Sequence, residues 1–423
     1  MLNWAYRFNI FCFLDNRQYA FSEPAFECML AAGSEKQIEM NAGTAFDALK
    51  RFQAANPKDW LFGHLGYDLK NEMEKLHSGH PDGTGFADLC FFIPEILVQL
   101  SHSSVTITGN TDPKAVFSDI LSCPDSIKKT KETRVAIQSR IPKKEYIDTI
   151  QTLRNHILRG DCYEINFCQE FFSEDAELDP LYVYHRLAEA SPNPFSAFYR
   201  TGQRFCLCAS PERYLKKTGN RIFSQPIKGT SKRHLQDPLK DEAQKKYLQE
   251  SHKEKSENVM VVDLVRNDLS RVCRAGTVRV DELFGLYSFP QVHQMISTVS
   301  GELEEGVDWV DCIKTTFPMG SMTGAPKVKV MELIEKYESS RRGLFSGAIG
   351  YIKPGGAAGP ATENPVTEPV DFDFNVVIRT LLFNAHDKYL SFQTGGAITF
   401  YSDPEKEYEE CLLKGAVINS ILK

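Results

Sequence analysis

Short apolar runs open the chain. FNIFCFL (8–14) and DLCFFIPEILVQL (88–100) are rich in Phe, Ile and Val, and clusters of Gly, Asn and Asp divide them. That pattern predicts strands over residues 1 to about 120, with one helix over 44–54. The next stretch, PDSIKKTKETRVAIQSRIP (124–142), is polar and basic with little periodicity. It predicts a linker or long surface loop, and a boundary near residue 134 between a mostly-β region (1–133) and a second region (134–423).

From Lys143 the period changes. Tyr146, Ile150, Leu153 and Ile157 recur at helical spacing until Gly160 stops them, which predicts a helix. CYEINFCQEFF (162–172) then reads as a strand, as do 203–208 and 219–223, and a long polar helix is predicted over about 238–259. Strands and helices do not alternate strictly and no repeat is present. Mixed α+β is therefore expected rather than a doubly wound parallel sheet.

Composition narrows the class. At 423 residues, with 42% hydrophobic and 25% charged content, the chain can bury a large core without staples. A net charge of -7 argues against a general binder of nucleic acid or membrane surfaces. The eleven cysteines are scattered and form no C-x-x-C pair. Buried thiols in a reducing compartment are expected, not disulfides or zinc. No stretch nears the roughly 18 apolar residues of a membrane helix, and MLNWAYRFNI is no charged leader with an apolar run. The expected location is the cytoplasm.

Several stretches carry candidate chemistry. In SQPIKGTSKR (224–233) a strand would deliver Lys228 just before Gly229, where backbone can approach a ligand. A partly desolvated lysine there could shed its proton and act as nucleophile or base, although the residues alone favour a solvated lysine in a turn. Glu250, Glu254 and Glu257 share one helix face, as do Glu407, Glu410 and Lys414, with Leu412 and Val417 expected on the core side. Each set reads alone as surface ion pairs. Together, carboxylates from two helices suit a magnesium ion whose shell substrate oxygens and water complete. Gly324-Ala325-Pro326 at a helix start, with Lys327 beside it, predicts an anion site. The glycines of QTGGAITF (393–400) mark a bulge or a close backbone approach. Arg379, in apolar FNVVIRTLLF, needs an anionic partner, either an internal acid or a substrate carboxylate.

The motifs in combination resemble the chorismate-utilising enzymes. ASPERYL (209–215), PIKGTSKR (226–233), ENVMVVDLVRNDLSR (257–271), GSMTGAPKVKVMELI (320–334), RRGLFSGAIGY (341–351), VVIRTL (376–381) and EYEECLLKGA (407–416) run in that family's order. Weaker similarity extends upstream through FGHLGYDL (62–69) and SPNPFSAF (191–198). The resemblance implies a large antiparallel β-sandwich flanked by helices, with the active site in a central cleft. Residues 1–133 would complete one sheet.

It also implies roles. Glu257 and Glu410 match magnesium ligands that anchor the ring carboxylate of chorismate, with Glu254 and Lys414 in support. Tyr351, Arg379 and the backbone at Gly395 and Gly396 match the positions that hold the enolpyruvyl carboxylate. Gly229 and Thr230 match a substrate-contacting pair, and Glu212 the acid that protonates the departing C4 hydroxyl. Lys228 discriminates within the family. Members that aminate chorismate at C4 carry PIKGT, whereas anthranilate-forming members usually carry alanine there. Glu164 stands where water-adding members carry lysine, which points the same way. The activity implied is amination of chorismate by ammonia to 4-amino-4-deoxychorismate, for 4-aminobenzoate and folate biosynthesis. The alternatives are anthranilate formation, or a silent chorismate-binding paralogue that scaffolds a glutaminase. Since no stretch resembles a glutamine amidotransferase, a separate glutaminase subunit is the expected ammonia donor. In one departure, Gln294 occupies the family's usual histidine position and His293 precedes it. The region that holds a tryptophan pocket in anthranilate synthases reads CFLDN here, which does not support tryptophan feedback.

Overall fold

The computed structural model of the protein describes residues 1–19, 27–124, 133–289, 292–355 and 370–423. Two antiparallel sheets, of 11 and 10 strands, form a sandwich. The first runs from Glu164–Ser173 through Tyr389–Ile398, Thr380–Asn384, Arg204–Ser210 and Phe195–Thr201 to Ile10–Asp15. The second begins at the edge strand Ile227–Lys232 and passes through Val292–Glu302, Arg221–Gln225, Arg213–Thr218 and Val370–Val376 to Ala348–Pro354.

The N-terminal strands join both sheets, not one as expected. Ile10–Asp15, Cys28–Ala32, Ile96–Ser101 and Ser104–Gly109 extend the first, and Lys36–Met40, Leu61–Leu65 and Leu89–Ile93 the second. The expected linker lies partly outside the described residues. Its described end pairs Gln138–Ser139 with Phe172 and Phe171.

Burial explains the layers. One apolar cluster takes Cys12, Ala31, Tyr199 and Cys208 from the first sheet, and Phe91, Val299, Ile349 and Phe374 from the second. Another lies between the outer face of the first sheet and the helices, uniting Phe11, Phe167 and Phe198 with Tyr146, Ile150, Leu153 and Ile418. The helix Lys143–Leu158 buries the predicted Tyr146, Ile150 and Leu153. Gly160, at φ +83°, ends it as expected. The helix Ala45–Ala54 also matches its prediction.

Two elements differ from the pattern reading. The long polar helix is two, Pro238–Glu250 and His252–Ser270. Ser251 breaks it, because its hydroxyl caps the second helix by accepting the Glu254 N–H at 3.3 Å. The C-terminal helix Pro404–Ile421 turns Glu407, Cys411, Gly415 and Ile418 inward and leaves Leu412 exposed. Gly415 sets that face: a Cβ there would stand 3.1 Å from the Phe392 ring, so its absence lets the helix lie close to Tyr389–Ile398.

Candidate active site

Four elements converge at one end of the sandwich: Ile227–Lys232, the start of Glu164–Ser173, the helix from His252, and the C-terminal helix against Gly395 and Gly396. Lys228 sits among carboxylates. Its Nζ donates to Glu164 Oε1 at 3.1 Å, and the two side chains are only 12% and 3% exposed. Burial alone would push the ammonium toward deprotonation, but Glu164, Glu257 and Glu212 outweigh it and hold its pKa above the ordinary lysine value. These carboxylates thus favour the ammonium form of Lys228, against the expectation of a lysine already poised to lose its proton.

Two of these acids are pushed the other way. Burial raises Glu212 to about 7, against the opposing pull of the Ser321 hydroxyl and Lys228. Burial likewise raises Glu257 to about 7, opposed by Lys228 and Lys253. Carboxyls at such values exchange protons near neutral pH, as general acids must. Glu257 Oε1 is buried without a hydrogen bond, with Lys253 Nζ at an ion-pair distance of 3.8 Å.

The remaining acids complete a corner. Burial and Glu410 raise Glu254, whose side chain lies against Gly229; a Cβ on that glycine, at φ +97°, would stand 3.2 Å from Glu254 Oε2. Lys414 Nζ spans Glu410 Oε1 and the Gly395 carbonyl, both at 2.8 Å. Burial acts on Glu410, but Lys414, Lys253 and Lys228 together lower its pKa. Gly395 and Gly396 pair with Cys168 and Phe167. A Cβ at Gly395 would overlap the Phe167 carbonyl, at 1.9 Å, whereas one at Gly396 would face Glu407, Lys414 and Glu410. Thr230 is exposed beside buried Gln294 across the strand pair.

Arg379 lies at the bend between Val370–Val376 and Thr380–Asn384, at φ +49°, rather than inside a strand. Among the described residues its guanidinium has no carboxylate partner within ion-pair distance, and burial lowers its pKa.

Other expectations are not met. Tyr351 packs on Trp60 and Phe62, with ring centroids 5.4 and 6.0 Å away, and lines an inter-sheet cavity with Arg213, Asp373 and Asn375. Lys228 is not among the residues that line this cavity. Lys327 is no anion ligand, because Nζ bonds Asp268 at 2.6 Å and the Thr316 carbonyl at 3.2 Å. His293 bonds Asp241 and Ser288, a structural role. Gln294, wholly buried, has neither amide atom paired. The sequence reading missed the partnership of Glu164 with Lys228 and the placing of Ser321 beside Glu212; the second lay within reach, since Ser321 belongs to GSMTG.

A sandwich of this topology, with a lysine and paired acids at one end, defines the class. The chain belongs to the chorismate binding enzymes, whose family model matches residues 10–420. Among its relatives is the aminodeoxychorismate synthase component 1 of Escherichia coli, 34% identical over 85% of this chain and 76% of that protein. The chloroplastic aminodeoxychorismate synthase of Arabidopsis thaliana is also 34% identical, over 83% of this chain. The chain spans only 39% of that plant protein's length. In fold it matches the crystal structure of anthranilate synthase component I from Streptococcus pneumoniae, with TM-score 0.78, 23% identity, and coverage of 96% of this chain and 94% of that one. Among the described residues no helix is long and apolar enough to cross a membrane.

Proposed function

We propose that the chain aminates chorismate at C4 with ammonia, giving 4-amino-4-deoxychorismate. The observation that carries this reading is Lys228 hydrogen-bonded to buried Glu164 at 3.1 Å, with Glu212 and Glu257 also acting on its charge. Arg379 takes the enolpyruvyl carboxylate by bidentate pairing, beside the backbone of Gly395 and Gly396. Glu212, protonated over much of the neutral range, gives its proton to the departing C4 hydroxyl. Lys228, once neutral, attacks C2 as the two conjugated ring double bonds each shift by one position and the C4–O bond breaks. Ammonia then adds at C4 and the lysine leaves.

Magnesium fits the corner. Among the described residues no group of three or more His, Cys, Asp or Glu side chains could chelate an ion unaided. Magnesium needs only one or two carboxylates, with water and substrate completing its shell. Glu257, with its orphaned buried oxygen, and Glu410 would hold it; Glu254 and Lys414 would brace them. Bound there, the ion would neutralise and orient the ring carboxylate. We assign the ammonia supply to a separate glutamine amidotransferase subunit, in keeping with the "component 1" in relatives' names, and place the chain in the cytoplasm.

The test incubates purified chain with chorismate, Mg²⁺ and ammonium at mildly alkaline pH, followed by mass spectrometry with and without aminodeoxychorismate lyase. A non-aromatic amino product that the lyase converts to 4-aminobenzoate is expected. Anthranilate plus pyruvate would overturn the reading, as would no turnover at high ammonium. Lys228→Ala should abolish the amino product while leaving Mg²⁺-dependent chorismate binding intact by calorimetry.

A further inference from the structure

A lysine favoured as an ammonium ion must give up a proton before it can act as a nucleophile, and among the described residues one hydrogen bond is placed to take it. Lys228 Nζ donates to Glu164 Oε1 at 3.1 Å. The other oxygen, Glu164 Oε2, is buried with no hydrogen-bond partner among the described residues, so this carboxylate has room for a proton.

Glu164 is also held unusually firmly. Its neighbours Tyr163 and Asn166 donate backbone N–H groups to the Ala325 and Thr323 carbonyls, both at 2.7 Å. Gly324 makes the approach possible: at φ +147°, a Cβ there would lie 2.1 Å from the Glu164 carbonyl oxygen. Asn166 Nδ2 donates to the Ser321 carbonyl at 3.1 Å, and the Ser321 side chain stands beside Glu212. One loop, 320–325, thus braces both the partner of the lysine and the acid for the leaving group.

We propose that Glu164 positions Lys228 for attack on C2 and accepts its proton as it becomes a nucleophile. The step balances. The proton passes from Nζ to the Glu164 carboxylate, the Nζ lone pair forms the N–C2 bond, the C1=C2 and C5=C6 π pairs shift to C6=C1 and C4=C5, and the electrons of the breaking C4–O bond leave with the hydroxyl, which Glu212 protonates. When ammonia displaces the lysine, the proton returns from Glu164 to Nζ. This rests on the function proposed above; Glu212, Glu254, Glu257 and Glu410 also face the lysine electrostatically, so the test must isolate Glu164.

Glu164→Gln keeps the shape and a hydrogen-bond acceptor but removes the proton site; Glu164→Ala leaves space for a small carboxylate. Two readouts are needed. The first, without chorismate, follows acetic anhydride labelling of Lys228 against pH by peptide mass spectrometry. Glu164→Gln should move its midpoint to lower pH, while surface lysines stay put. The second is steady-state kinetics. The same variant should lose roughly 100-fold in kcat, within the range of general-base catalysis, with an unchanged KM for chorismate, and formate should restore part of the lost kcat in Glu164→Ala. An unmoved labelling profile, a loss confined to KM, or kcat retained by Glu164→Gln would each overturn the proposal. Because labelling needs no turnover, it can fail or succeed whatever product the chain makes.

Discussion

The strand Glu164–Ser173 carries a charged cluster on either side, and the two are built to opposite rules. Near its middle, Arg342 is saturated. It bonds both oxygens of Glu338 at 2.6 and 2.9 Å, the carbonyls of Met322 and Asn166, and the Ser346 hydroxyl. Glu338 also accepts the Cys168 N–H at 2.9 Å. At the strand's start, Glu164 and Glu257 each keep a buried oxygen that no described residue hydrogen-bonds. Both clusters are buried, so desolvation costs both. Only the first recovers that cost within the protein. The second is left incomplete where a substrate, an ion and a travelling proton would complete it, which is the usual exchange of stability for function.

The largest effect should come from breaking the saturated cluster. Its ion pair is 1% and 3% exposed, so Arg342→Ala strands a carboxylate away from water. We expect a loss of about 3–5 kcal/mol, the range for a buried pair with one partner removed. Guanidinium unfolding monitored by far-UV circular dichroism measures it. A loss below about 1 kcal/mol, typical of exposed pairs, would erase the distinction between the clusters.

The difference between the clusters also tracks what was legible in the sequence. The helix at Lys143 was readable because burial imposes a 3.6-residue period on neighbouring positions. The acidic faces at Glu254 and Glu257 and at Glu407 and Glu410 were readable for the same reason; Glu250 does not share the first of them, because it ends the preceding helix and pairs there with Lys246. The break at Ser251 was within reach, since S-H-K-E is a capping-box pattern, but its charge-rich surroundings gave no apolar period to interrupt. Leu412 misled because the C-terminal helix approaches its strand through Gly415, and a glycine leaves no mark on an apolar pattern. The role of Tyr351 rested on resemblance, and its place against Trp60 depends on a sheet register no local pattern encodes. The pairing of Lys228 with Glu164 spans 64 residues of sequence, and charge sign alone could not choose among many acids. Residue types were readable, then, where periodicity set them; partners were not.

Second in size is a pH effect from the unsatisfied side. Glu212 has an ordinary value of 4.5 and about 7 in the fold, so folding favours its protonated form. Its contribution to stability is complete below about 4.5 and is lost as pH rises through about 7. Each tenfold change in proton affinity is worth about 1.4 kcal/mol, so the loss by pH 8 is on the order of 3 kcal/mol. Glu257 titrates over the same window, so the wild-type slope contains both. Subtraction isolates one: Glu212→Gln should be more stable than wild type at pH 8 and equal to it at pH 4.5, by chemical unfolding in the absence of metal. A difference that does not change with pH would mean that Glu212 is not held neutral by burial.

The smallest expected effect on stability sharpens the comparison most. Gly395 and Gly396 are adjacent on one strand, yet only the first is required by the fold, because its Cβ would overlap the Phe167 carbonyl. At Gly396 a Cβ would meet the tips of three flexible side chains, at 3.3 Å from Glu407, 3.6 Å from Lys414 and 3.8 Å from Glu410. These can yield by a few tenths of an ångström, and alanine also restricts the unfolded chain. Gly396→Ala should therefore leave stability within about 1 kcal/mol of wild type. The same methyl stands where the substrate carboxylate and its ion would sit, so KM for chorismate and the Mg²⁺ requirement should both rise. Unchanged KM with lowered stability would mean that this corner, like the cluster around Arg342, is satisfied by the fold alone.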